Sequence, residues 1–183
     1  MPRPVVFMSR VLAIEPLIVL TVLIAAATDF WRQKIYNWLT LPAILIGLTL
    51  NTVLQGLKGL GDGLLGFGLA FFLAFGLYSL KGIKGGDVKL IAAIGAMGGW
   101  KFAIAAMLYT GISGAVLSLW WAAYHGTLRK TLARFVQLLR ALVIPGIRLE
   151  RPLSESDSPP LPYGLAIATG TLLRLSFPTW LPL

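Results

Sequence analysis

The chain has 183 residues, of which 57% are hydrophobic and only 13% charged, with mean hydropathy +0.80. Soluble domains hold roughly 45–50% apolar and about 25% charged residues, so lipid is the expected solvent for most of this surface. The absence of cysteine excludes disulfides, thiolate zinc sites and a cysteine nucleophile. The net charge of +9 is spread among apolar runs rather than gathered on one face, which speaks for membrane topology and against nucleic-acid binding.

In chain order, apolar runs predict spanning helices over 12–28, 38–56, 62–80, 88–100, 102–124 and 161–180, a single all-α membrane domain (1–183) of about six transmembrane helices. The first follows Arg3 and Arg10 and contains Glu15-Pro16. That interruption is foreign to a signal-peptide core, so the segment is expected to be kept as a first helix. The fourth is short, with Gly85-Gly86 expected to break the helix before it. Between the last two spans lies a polar connection, 126–160. Its first half, Thr127 to Arg140, alternates a basic and an apolar face, the pattern of a helix lying on an anionic membrane surface. Its second half, Leu153 to Pro160, has the composition of a linker.

Orientation follows from basic residues. Eleven fall at the odd connections (Arg32, Lys34, Lys81, Lys84, Lys89, Arg129, Lys130, Arg134, Arg140, Arg148, Arg151), against four on the other side (Arg3, Arg10, Lys58, Lys101). The expected topology has the N-terminus outside and the odd connections in the cytoplasm of the cell (inner) membrane.

The chemistry is sought among the seven acidic residues. Glu150, Glu155 and Asp157 belong to the polar connection, Asp62 to a glycine-rich turn, and Glu15 reaches an interface. Asp29 and Asp87 differ. Asp29 ends the apolar run Leu17–Ala27, and Asp87 opens the fourth helix at the same depth on the same side. Bland roles exist for each: an ion pair of Asp29 with Arg32, and a helix cap for Asp87. Two acids at one membrane level can nevertheless meet inside a bundle, and an acid at the hydrocarbon edge is costly enough to suggest function. Carboxylates that share a site share one proton. The ionised member then activates a water, while its neighbour polarises a carbonyl and protonates the leaving group. Gly85-Gly86 permits close backbone approach to an extended substrate. His125 is the single histidine, so no metal site and no cofactor is expected.

The stretches Thr28-Asp-Phe-Trp-Arg-Gln-Lys-Ile-Tyr-Asn37, Gly85-Gly-Asp-Val-Lys-Leu90 and Leu161-Pro-Tyr-Gly164 resemble, in this order, motifs of the type IV prepilin peptidases, GxGD-type intramembrane aspartic proteases, especially the short forms of tight-adherence pili. The resemblance implies Asp29 and Asp87 as catalytic residues. It also implies cleavage at the cytoplasmic face, after a glycine that precedes a hydrophobic segment. Its substrates would be prepilin- or pseudopilin-like, with Lys84, Gly85, Gly86, Lys89 and Asn37 as substrate-binding candidates. Other expected partners are membrane lipids and components of a pilus or secretion assembly. Three departures stand out. Lys84 occupies the place of a glycine, Tyr36 that of a proline, and the methyltransferase insertion with its cysteine pairs is absent, which implies cleavage without N-methylation. A non-catalytic membrane subunit that keeps the fold is the alternative, and a proton-coupled carrier a more distant one.

Overall fold

A computed structural model describes residues 4–80, 82–126, 129 and 162–177, with side chains described from residue 12 onward. Four helices make up these residues: α1 (Pro4–Arg32), α2 (Asn37–Ser79), α3 (Gly85–Tyr124) and α4 (Tyr163–Ser176). Three stretches, Leu12–Arg32, Asn37–Ser79 and Gly85–Tyr124, are long and apolar enough to cross a membrane. The expected surface helix over Thr127–Arg140 and the linker after it lie outside the described residues, apart from the exposed Arg129.

The two longest helices are not straight rods. Gly56 (φ 64°, ψ −150°) interrupts α2 and Gly99 (φ 80°, ψ 173°) interrupts α3, in backbone regions that only glycine enters without strain. In α2 the chain folds back on itself at this point. Gly63 packs against the side chains of Leu48 and Asn51, which would lie about 18–22 Å away along an unbroken helix. In α3, Tyr163 packs on Gly114 and also lies within electrostatic reach of Asp87, positions about 40 Å apart on a straight rod. Each helix is thus a pair of antiparallel arms. The arms of α2 correspond to the runs expected at 38–56 and 62–80, and those of α3 to 88–100 and 102–124. The breaks themselves sit at single glycines.

The first arm of α3 is the centre of the molecule. Asp87, Val88 and every residue from Leu90 to Met97 are buried, whereas elsewhere one helical face is exposed. Space for this arm comes from small residues. Gly66 meets Gly95 backbone to backbone, Gly47 meets Met97, and Ala70 lies against Gly95. Small residues are what let helices approach closely where no aqueous hydrophobic effect drives them together. The outside carries the bulk, with Trp31, Val53, Leu57 and Phe72 among the most exposed side chains. That inside-out distribution suits a lipid surround.

One buried polar knot ties the arms together. Asn51, fully buried, donates through Nδ2 to the carbonyl oxygens of Ala96 (3.1 Å) and Met97 (2.9 Å) just before the break at Gly99, and to Gly47 O (3.1 Å) in its own helix. Asp62, expected in a turn, lies instead in the helical second arm of α2, with its carboxylate against Gly99.

Candidate active site

Both singled-out aspartates are buried, each 1% exposed, and among the described residues the other acids, Glu15 and Asp62, are only partly buried. Asp29 sits in the last turn of α1. That helix closes with Gln33 at φ 50°, a left-handed residue whose N–H returns to the Asp29 carbonyl at 2.8 Å. The short loop 34–36 then leads into α2, and Ile35 of that loop packs on Gly86.

Asp87 occupies the third position of α3. Its Oδ2 accepts the N–H of Lys84 at 2.8 Å, and its own N–H returns to the Lys84 carbonyl at 3.0 Å. Asp87 therefore does cap its helix, with Lys84 rather than Asp87 at the capping position. Gly85 and Gly86 do not break the helix; they form its first turn. An extended partner would have to pair with backbone outside that turn, such as Lys84 itself (φ −87°, ψ 158°).

The two carboxylates lie at one end of the bundle, near enough for their charges to interact. Tyr163 is within reach of Asp87 in the same sense. A third element closes the site. The N–H of Gly164, in the first turn of α4, donates to Asp29 Oδ2 at 2.8 Å, a contact between residues 135 apart in sequence. The sequence reading assigned no site role to Tyr163 or Gly164, because a backbone donor leaves no chemical signature in a residue string. Their only signal was the Pro-Tyr-Gly resemblance.

Among the substrate-binding candidates, Lys89 Nζ bonds Asn37 Oδ1 at 2.9 Å and so links the starts of α2 and α3. Lys84 and Gly85 are exposed, and Gly86 is half-buried against Ile35. Two of the departures noted in the sequence lose their sting. Lys84 and Tyr36 both take extended backbone at a helix start, and the Tyr36 conformation (φ −89°, ψ 144°) is close to what a proline would hold. Among the described residues no group of acidic or histidine side chains is suited to hold a metal ion.

Against this geometry the comparisons with known proteins are decisive for kinship. The profile of the Type IV leader peptidase family matches residues 17–119, a stretch that carries both aspartates. This chain belongs to that family. The matched family stretch stops short of the Leu161-Pro-Tyr-Gly164 segment. The prepilin leader peptidase/N-methyltransferases of Aeromonas hydrophila and of Aeromonas salmonicida (strain A449) are each 31% identical over 111 residues, which is 56% of this chain and 38% of theirs. The leader-peptidase relatives are thus matched over well under half of their length. No solved structure matches the chain.

Proposed function

We propose that this chain is an intramembrane aspartic endopeptidase that removes the leader from prepilin-like substrates at the cytoplasmic face of the inner membrane. The observation that supports the reading is that Asp29 and Asp87, two buried acids from separate helices, lie within electrostatic reach of each other at one end of the bundle. An ion pair with Arg32 would not need Asp29 to be buried, and a helix cap alone would not need a second acid beside Asp87. The pair, with one proton between them, is suited to activate a water against a peptide carbonyl and to protonate the departing amine.

The topology that goes with it has the N-terminus outside and about six crossings: α1, two arms each of α2 and α3, and α4. The count of basic residues supports it, since Arg32, Lys34, Lys84 and Lys89 all lie at the aspartate end. That end then faces the cytoplasm, where prepilin-like leaders with basic residues would arrive before an apolar segment lodged in the bilayer. Lys84 does not favour a non-catalytic role, because its contribution to the site is a backbone N–H that any residue but proline supplies.

The test is co-expression with a candidate prepilin. Asp29→Asn and Asp87→Asn are each expected to leave the substrate uncut while the protein stays in the membrane at wild-type level. Processing by either variant would end the assignment.

A further inference from the structure

The first turn of α4 makes a contact that capping alone does not explain. Gly164 gives its N–H to the carboxylate of a buried acid on another helix, and it does so at a place with no room for a side chain. An ideal Cβ on Gly164 would stand 2.9 Å from Asp29 Cβ and 3.0 Å from Asp29 Oδ2, inside any comfortable van der Waals approach. The turn itself is held from two sides. Pro162, buried and at φ −69°, fixes the start of α4, and the Tyr163 ring lies on Gly114, its hydroxyl 3.0 Å from where a Cβ would be.

The same device appears at the other acid. Asp87 Oδ2 takes the Lys84 N–H at 2.8 Å, at the start of α3, as Asp29 Oδ2 takes the Gly164 N–H at 2.8 Å, at the start of α4. Each carboxylate thus has one oxygen engaged by a backbone donor of a helix start. Such a bond stops rotation about Cβ–Cγ and turns the second oxygen in a fixed direction. Orientation of this kind matters to rate, since small misplacements of a reacting group are costly.

We propose that the first turn of α4 is a working part of the catalytic site, in which the Gly164 N–H is the positioning group that fixes Asp29 through Oδ2 and leaves Oδ1 to the attacking water. This rests on the two-aspartate reading above and adds to it a component lying outside the stretch matched to the family, residues 17–119.

The experiment uses the full chain in detergent micelles and a reporter substrate with a basic leader, a glycine and an apolar segment. Replacing the residue-164 amide by an ester (glycolate in place of Gly164) deletes the N–H and adds no bulk. The ester should lower kcat at least about tenfold with KM within about twofold, as loss of one fixed donor does at other active sites. Gly164→Ala should behave likewise, by pushing on Asp29. Gly170→Ala, at a glycine of α4 that packs on Thr110 of α3, should lower the melting temperature and leave kcat per folded molecule unchanged. An ester variant with wild-type kcat, or one whose loss lies wholly in KM or in folding, overturns the inference. Asp29→Asn and Asp87→Asn run alongside: if they cut, the aspartic reading itself falls, and if they are inert while the ester is fully active, only the role of α4 falls. A readout independent of cleavage is the Gly164 amide proton resonance, which should move upfield in Asp29→Ala; an unchanged resonance also counts against the proposal.

Discussion

Replacing Asn51 by leucine offers the sharpest check on how the broken helices are held. The leucine keeps roughly the volume but removes the amide that serves Ala96 O and Met97 O. In a continuous helix those carbonyls would take the N–H groups of Trp100 and Lys101, which here lie beyond the break at Gly99. Gly47 O loses less, because its own helix continues past it. Two buried carbonyls left without this donor cost about 1–3 kcal/mol each by mutational experience, and polar contacts in membrane proteins fall at the low end of such ranges. The expected destabilisation is therefore about 2–4 kcal/mol. Equilibrium unfolding of wild type and Asn51→Leu in mixed micelles of mild and denaturing detergent, followed by circular dichroism, measures it. Cleavage per folded molecule should be unchanged, since Ala96 lies nine residues, about 13 Å, along α3 from Asp87. A loss of under about 0.5 kcal/mol, in the range of a neutral surface change, would show that the knot does not hold the break.

Other outcomes follow from the same geometry. Lys84→Gly should leave kcat within about twofold, because the donor to Asp87 is backbone, whereas Lys84→Pro removes that donor and should lower kcat at least about tenfold in the reporter assay. Gln33→Gly should raise stability by up to about 1 kcal/mol in the same unfolding titration, since glycine carries no penalty for the left-handed turn at φ 50°. Gly66→Ala and Gly95→Ala each place a methyl where two backbones touch and should cost about 1–3 kcal/mol apiece; being in contact, their effects in the double variant should not add.

The parts of the molecule that announce themselves in the sequence are those with a chemical cost. Asp29 and Asp87 stand out because an acid at the end of an apolar run is expensive, and both are buried. The helix runs were legible from apolar length. Their ends were less so, because the breaks rest on the backbone of Gly56 and Gly99, while the 20 glycines of the chain look alike in sequence. Gly85 and Gly86 show the reverse error: glycine suggested a helix break, yet the packing of Gly86 on Ile35 and the Asp87 cap hold the pair in the first turn of α3. Asp62 was read as a turn residue for its glycine neighbours, whereas its carboxylate lies against Gly99, 37 positions on. The donor to Asp29 was invisible because every residue but proline owns an N–H; only the missing Cβ at position 164 distinguishes it.

The 135-residue separation between Asp29 and the amide that grips it also sets a clock. At usual synthesis rates of 5–20 residues per second, about 7–27 s pass between the polymerisation of one partner and that of the other. Throughout that interval the carboxylate of Asp29 has no anchor, and for its later part Asp87 is already made as well. Under the proposed peptidase reading, a chain built this way gains an oriented Asp29 only when α4 docks.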